Sequence, residues 1–229
     1  MTQLFNKKDF KDNCGFGLIA NTHGIRSHTV LTKSIDALVS MTHRGGVGSD
    51  GKTGDGCGLL FDINHKYFRD TIKQEQDIDL GQEFAVGQLF FSDCINSLTP
   101  KLEEIFKQES LNLIALREVP INKNILGDIA LDCCPNIYQV FVSSSDEVFN
   151  EKKFESNILQ ARKFIEEIYA DDETLYLCSF SSKTIVYKGL MLPNAIKDFY
   201  TELQKPQFEI STCVFHQRFS TNTSPRWHL

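Results

Sequence analysis

The sequence has few prolines, a single tryptophan and no long apolar run. Its 229 residues include 6 prolines, and no internal repeat or low-complexity linker divides them. No segment approaches the roughly 18 consecutive apolar residues of a membrane-spanning helix. Residues 1–13 mix both charges and lack the apolar centre of a secretory signal. We therefore expect neither a membrane protein nor a secreted one.

Basic clusters are also missing. The net charge is −6, with 24 Lys and Arg against 30 Asp and Glu, and no dense group of basic residues occurs. Nucleic acids and anionic membrane surfaces are bound through such groups, so the composition argues against both partners. With 41% apolar residues, a chain of this length can bury a sizeable core. This favours a globular protein that acts on a small molecule.

Patterns typical of disulfides and of zinc sites are absent as well. The cysteines are odd in number, contain no Cys-x-x-Cys pair and lie mostly within apolar runs; they are Cys14, Cys57, Cys94, Cys133, Cys134, Cys178 and Cys213. This usage is typical of reduced thiols in a cytoplasmic protein, without a metal site.

The hydrophobic pattern that is present predicts an α+β fold in which many strands have antiparallel neighbours. Apolar runs predict strands at 14–20, 28–31, 58–63, 84–91, 113–119, 137–142, 175–180, 184–187 and 210–219. Helical spacing predicts four helices. The first is capped by Thr32 or Ser34, the second begins at Pro100, the third covers 151–169 and the fourth runs from Pro193 to Leu203. A Ser-Ser-Lys turn predicts a hairpin of the strands at 175–180 and 184–187.

One motif suggests nucleotide binding. Residues 46–53 read Gly-Val-Gly-Ser-Asp-Gly-Lys-Thr and match the phosphate-binding pattern G-x-x-x-x-G-K-[ST]. In a true phosphate loop, a buried strand precedes the loop and a helix starts at the Lys-Thr pair. Here a predicted helix precedes the loop and a predicted strand follows it. Nucleotide binding is therefore the minor alternative, and a tight turn near a neighbouring site is the favoured interpretation.

Cys14 is the candidate nucleophile. It stands in the segment Asp-Asn-Cys-Gly-Phe-Gly-Leu-Ile at 12–19, behind a polar leader that is short enough to be removed. A thiol attacks as its thiolate, and an α-amine has an ordinary pKa near neutrality. If residues 1–13 are cleaved off, the α-amine of Cys14 can take the thiol proton and pass it to a leaving amine. From these residues alone, a buried structural cysteine remains the alternative.

Three segments together resemble one family. They are Cys-Gly-Phe-Gly-Leu-Ile at 14–19, Met-Thr-His-Arg-Gly-Gly at 41–46 followed by Thr-Gly-Asp-Gly-Cys-Gly at 53–58, and His-Gln-Arg-Phe-Ser-Thr-Asn-Thr at 216–223. In this order they resemble the glutaminase domain at the start of the large subunit of glutamate synthase, within the N-terminal-nucleophile glutamine amidotransferases. The resemblance covers the chain from about Lys8 onward.

The resemblance implies a four-layer αββα sandwich and a set of site residues. Cys14 would attack the side-chain amide of glutamine after removal of residues 1–13, giving a thioester and ammonia. Arg218 would bind the α-carboxylate of glutamine, and Thr221 would help to hold the substrate. His43 and Arg44 would position a loop, and His216 would satisfy a hydrogen bond in the core.

The resemblance also implies components beyond these residues. The full-length family enzyme carries FMN and an iron-sulfur cluster, forms glutamate from 2-oxoglutarate, and works with ferredoxin or a small NAD(P)H-oxidising subunit. The family's oxyanion hole is an Asn-Gly pair downstream of the arginine motif, and this sequence contains no Asn-Gly pair. We therefore expect residues 14–229 to form a partial glutaminase domain that hydrolyses glutamine poorly alone and associates with the remainder of the large subunit. An amidotransferase for another acceptor and a non-catalytic remnant are the alternatives.

Overall fold

The computed structural model describes residues 14–221 and 223–228, so the expected leader at 1–13 lies outside the described residues. The strands are β1 (Gly15–Ala20), β2 (Cys57–Asp62), β3 (Ala85–Phe91), β4 (Leu111–Glu118), β5 (Asn136–Ser144), β6 (Leu175–Ser181), β7 (Thr184–Gly189) and β8 (Thr212–Gln217). The α-helices are α1 (His28–Ser40), α2 (His65–Gln76), α3 (Ile95–Gln108), α4 (Asp128–Asp132), α5 (Glu151–Ile168) and α6 (Ile196–Phe199). None of these helices is both long and apolar enough to cross a membrane.

The strands form two antiparallel sheets flanked by helices, as expected for the α+β sandwich. The first sheet has the order β1-β8-β2-β7 and the second the order β4-β5-β3-β6. In the first sheet, β8 lies between β1 and β2, so the first strand of the described residues pairs with their last one. This pairing brings the two ends of the described chain to one edge of the molecule.

Two apolar clusters hold these layers together. The larger cluster joins one face of the first sheet, with Leu59 and Phe215, to Phe141 of the second sheet and to residues of α1 and α2. The smaller cluster lies between the other face of the second sheet and the helices α3 and α5, and includes Phe106 and Ile158. Burial of apolar area on this scale is the main favourable contribution to folding.

The opposite face of the first sheet carries apolar side chains that remain exposed. Alternate residues of a strand point to the same face, and Phe16 and Leu18 of β1 are 77% and 62% exposed. Leu60 of β2 and Val214 of β8 are exposed beside them. A contiguous apolar sheet face of this kind is typical of a surface that another layer covers.

A charged network lies between the two sheets. Arg117 of β4 is 2% exposed; its Nε donates to Glu75 at 2.7 Å and its Nη1 contacts a Glu202 carboxylate oxygen at 2.8 Å. Glu202 is fully buried and also accepts from the hydroxyls of Tyr187 and Tyr67. Burial alone would lower the pKa of Arg117, but the two carboxylates raise it, so the guanidinium stays charged. Each buried charge in this network depends on its partners.

The strand predicted at 28–31 is wrong, because these residues form the first turn of α1. Ser27 caps this helix, since its side-chain oxygen accepts from the N–H of Val30 at 3.4 Å. Val30 and Leu31 belong to the buried stripe of the helix together with Ile35 and Leu38. A short apolar run did not distinguish a strand from a buried helical turn.

The start predicted at Pro100 is also wrong, because α3 begins at Ile95. The helix buries Leu98 and Leu102 on one face, and Pro100 lies on its exposed side. The proline leaves the carbonyl of Asn96 without an intrahelical partner, but Asn96 is exposed and water can bond it. The proline is therefore tolerated near the beginning of the helix rather than at its first position.

The predicted hairpin of β6 and β7 does not form, because the two strands belong to different sheets. The turn between them is held by Glu155, whose carboxylate accepts from the N–H of Ser182 at 2.6 Å. β6 then pairs with β3, and β7 with β2. The predicted helix from Pro193 to Leu203 is a series of short turns around α6.

Candidate active site

Cys14 lies directly before β1, half-buried at a cleft of about 640 Å³. The strand pairing places it there: Gly15 is opposite Gln217 of β8, so Cys14 lies at the level of Arg218. The N–H of Arg218 in turn donates to the carbonyl of Gly56 at 2.9 Å, just before β2. The ends of three neighbouring strands thus bring Cys14 and Arg218 to one cleft.

A second thiol, Cys57, lines the same cleft but differs in its surroundings. It is 4% exposed on the core side of β2, and burial raises its pKa to about 12. A thiol with such a pKa stays protonated at neutral pH and is a poor nucleophile. Of the two, the half-buried Cys14 is the better candidate.

The Arg218 guanidinium has one nitrogen engaged and one available. Its Nη2 donates to Oγ1 of Thr223. Its Nη1 is buried and has no hydrogen-bond partner in the described part of the chain. A buried donor without an acceptor is costly, and an arginine can bind a carboxylate through paired N–H groups. The arrangement therefore suits a ligand that carries a carboxylate.

The charge of the cleft favours the same kind of ligand. Its wall includes the basic side chains of Lys188, His216, Arg218 and Arg226, and no Asp or Glu is among its described lining residues. Arg226 is paired with Glu173 at 2.6 Å, and the Lys188 ammonium lies 4.1 Å from the centre of the Tyr176 ring. Such a cluster raises the local concentration of anionic ligands.

The structure distributes the other predicted site residues differently. Thr221 is exposed beyond the end of β8 and is not among the described residues that line the cleft, whereas Thr223 of the same motif contacts Arg218. His216 does not lie in the core; it is exposed on the cleft face of β8. The sequence reasoning missed Thr223, Lys188, Arg226 and Trp227, although Thr223 stood in the arginine motif.

The glycine-rich segment forms the tight loop that was expected. It runs from the turn at Thr42–Arg44 into β2, so the order is helix, loop, strand. Asp50 accepts from the N–H and hydroxyl of Thr53 at 2.8 and 2.6 Å, and these bonds hold the pKa of Asp50 well below its ordinary value. The Thr53 hydroxyl also accepts from the N–H of Ala130 in α4 at 3.2 Å. The Thr53 hydroxyl, which the phosphate-binding motif would use, is thus engaged inside the fold.

The base of this loop is tied to the arginine segment. One carboxylate oxygen of Asp55 accepts from the N–H of Gly46 at 3.0 Å and from the N–H of Ser220 at 2.7 Å. The Arg44 side chain lies close to Gly15, next to Cys14. The His-Arg-Gly segment and the Thr-Gly-Asp-Gly segment therefore pack against the two strand ends that carry Cys14 and Arg218.

We expect Gly45→Ala to displace the Arg218 segment. A Cβ at Gly45 would lie 1.7 Å from Nε2 of Gln217 and 2.8 Å from the carbonyl oxygen of Arg218. Forcing such contacts costs about 1–3 kcal/mol of stability, measurable by urea unfolding. Gly51→Ala is the control within the same loop, where nothing lies within 4 Å but φ is +70°. If Gly45→Ala and Gly51→Ala lose the same stability and Gly45→Ala still binds its ligand with normal affinity, the expected displacement is contradicted.

Comparison with known proteins gives the family of this fold and site. The family model of class-II glutamine amidotransferases matches residues 14–229. The ferredoxin-dependent glutamate synthase of Cyanidium caldarium is 37% identical over 96% of this chain, which corresponds to 15% of that protein. The NADH glutamate synthase of Saccharomyces cerevisiae is 37% identical over 94% of the chain and 11% of its own length. The large chain of the NADPH glutamate synthase of Bacillus subtilis is 36% identical over 98% of the chain and 15% of its own length.

The chain therefore spans less than a fifth of these relatives, and the match includes the three segments around the cleft. The two antiparallel sheets flanked by helices are consistent with the fold of this family. This chain belongs to the class-II glutamine amidotransferases.

Proposed function

We propose that this chain supplies the glutaminase chemistry of a glutamate synthase, with Cys14 as nucleophile and Arg218 as the group that binds the α-carboxylate of glutamine. The observation that carries the proposal is the meeting of these two residues, from opposite ends of the chain, in one basic cleft. Nucleophilic attack needs the substrate held beside the thiol, and one fixed carboxylate contact orients glutamine along the cleft.

The proposed reaction has two steps. The Cys14 thiol gives up its proton and its sulfur adds to the side-chain amide carbon. The carbon–nitrogen bond then breaks, the leaving nitrogen takes up that proton and departs as ammonia, and a thioester remains. Water then adds to the thioester carbon and releases glutamate and the free thiol. The base and acid is the α-amine that Cys14 gains when residues 1–13 are removed.

Arg218 is suited to the binding step. Its buried Nη1 can donate to one carboxylate oxygen, while the bond from Nη2 to Thr223 fixes the plane of the guanidinium. A planar, permanently charged donor is better for this task than a flexible ammonium. A role for Thr221 in holding the substrate stays a prediction, and its exposed position gives it no support.

The acceptor of the ammonia is proposed to lie in the remainder of the large subunit. There, 2-oxoglutarate, ammonia, two electrons and three protons would give zwitterionic glutamate and water, with electrons from ferredoxin or a small NAD(P)H-oxidising subunit. The FMN and iron-sulfur cluster implied for the full enzyme would carry those electrons. Among residues 14–221 and 223–228, no group of three or more His, Cys, Asp or Glu side chains could hold a metal ion.

The exposed apolar face of the first sheet supports this wider assembly. Phe16, Leu18, Leu60 and Val214 point to the side on which the cleft opens. A further layer of the large subunit that packs on this face would exclude water from the cleft and would bring the oxyanion-stabilising donors that the reaction needs. We place the whole assembly in the cytoplasm, in agreement with the cysteine usage.

Covalent trapping tests the assignment of Cys14. We expect a diazoketone analogue of glutamine to alkylate Cys14 in the chain that starts at this residue, and excess glutamine to prevent it. Peptide mass spectrometry reads the position of the adduct. Cys14→Ser should abolish the adduct, whereas Cys133→Ser, which removes another exposed thiol, should leave it unchanged. Equal labelling of Cys94 and Cys133, without protection by glutamine, would contradict the proposal.

A further inference from the structure

Trp227 is a buried residue in an otherwise exposed segment. Its ring is 6% exposed and packs against Phe90 and Phe199, with ring centres at 5.6 and 5.7 Å. Its Nε1 donates to the carbonyl of Ala130 in α4 at 3.1 Å. It is also the single tryptophan of the sequence. The indole N–H thus has a hydrogen-bond acceptor, and the ring packs against apolar side chains at the same position.

The Trp227 ring packs against Gly189 at the end of β7, where there is no room for a larger side chain. A Cβ at Gly189 would lie 3.0 Å from the ring of Trp227 and 2.3 Å from the end of the Met191 side chain. In the sheet, Gly189 is opposite Cys57, and Cys57 is opposite Gln217. The ring therefore packs beside the register position next to that of Cys14 and Arg218, and it lines the same cleft.

Trp227 is connected to Arg218 through Thr223. Between Thr223 and Trp227 lie Ser224, Pro225 and Arg226, and all three are exposed. The Arg226–Glu173 pair lies at the surface, where such ion pairs contribute little to stability. Burial of a large aromatic ring contributes more than that. Within the described segment 223–228, Trp227 is therefore the principal anchor.

We propose that Trp227 is a positioning residue for substrate binding: by seating its ring on α4 and β7, it holds Thr223 against Nη2 of Arg218 and leaves Nη1 for the carboxylate of the ligand. This inference rests on the proposed function for the identity of the ligand. The positioning itself is a property of residues 218–228 and can be measured without glutamine.

A double-mutant cycle on glutamine affinity tests the connection. Thr223→Val removes the acceptor for Nη2, and loss of an exposed hydrogen bond such as this one corresponds to about a threefold to tenfold rise in Kd. Trp227→Ala should raise Kd to a similar degree. The double variant should be no worse than either single variant, because both changes remove the same contact. Fold-changes that multiply in the double variant would overturn the proposal.

A ligand-free measurement separates this inference from the proposed function. The amide of Ser220 is bonded to Asp55, so hydrogen exchange in a peptide covering residues 218–224 reports the order of this segment. We expect Trp227→Ala to raise this exchange at least tenfold and Trp227→Phe, which keeps a ring, to raise it less. Phe154→Leu, in the distant second cluster, is the control for general loss of stability and should leave the peptide protected. Unchanged exchange in Trp227→Ala would overturn the proposal, whereas absence of glutamine binding in the unmodified chain would count against the proposed function alone.

Discussion

Replacement of Arg117 by methionine is expected to lower the free energy of unfolding by about 3–5 kcal/mol. The methionine would fill much of the space, but Glu202 would keep a carboxylate in the core without its cation, since Glu202 is fully buried. Glu75, whose side chain is 40% exposed, can turn to water and is less affected. Urea unfolding, followed by the fluorescence of the single tryptophan, measures the change.

Two further variants make the Arg117 result specific. Arg162→Met removes the arginine of a surface pair with Glu166 on α5 and should cost less than about 1 kcal/mol. Adding Glu202→Gln to Arg117→Met should recover a large part of the lost stability, because the double variant contains no unpaired buried charge. Equal losses from Arg117→Met and Arg162→Met would show that the buried network contributes no more than a surface pair.

Arg218→Gln is expected to weaken glutamine binding by about 30-fold or more. Removal of one partner from a buried, charge-assisted contact costs about 2–5 kcal/mol, and each 1.4 kcal/mol is a factor of ten in Kd. Arg218→Lys should give an intermediate value, because an ammonium keeps the charge but lacks the planar pair of donors. Titration calorimetry on the chain beginning at Cys14 measures both affinities.

Arg226→Gln is the matched control in the same cleft. This arginine also lines the cleft, but it is exposed and paired with Glu173, so its loss should change Kd less than about fivefold. If Arg218→Gln and Arg226→Gln weaken binding equally, the cleft attracts glutamine only through its general charge. The assignment of the α-carboxylate to Arg218 would then be wrong.

The sequence predicted those elements whose signal is local and periodic. The longest helix was expected at 151–169 and is found at Glu151–Ile168, and the first strand was expected at 14–20 and is found at Gly15–Ala20. The errors arose where distant contacts decide. The choice of partner for β6 and β7 depends on β3 and β2, which a pattern of apolar residues around a turn does not contain.

The candidate site shows the same division. Cys14 and Arg218 were predicted because each stands in a motif whose residue types suggest the chemistry, and the structure brings them to one cleft. Thr223 and Trp227 were missed because their importance depends on the path of the chain after β8, where a ring seated beside Gly189 fixes a hydroxyl near a guanidinium. His216 was assigned to the core because strand alternation gives two faces without telling which one is covered.

The insertion of β8 between β1 and β2 has a consequence for synthesis on the ribosome. β1 emerges first but cannot pair with β8 until Thr212–Gln217 have been synthesised, so the first sheet cannot close before that point. At about 5–20 residues per second, this delay lasts many seconds, and pairing over such a sequence distance is slow in itself. During this time the strands of the second sheet, which follow one another in the chain, can already pair. The thiol of Cys14 and the guanidinium of Arg218 thus come together only when β8 joins the first sheet, late in the folding of the described residues.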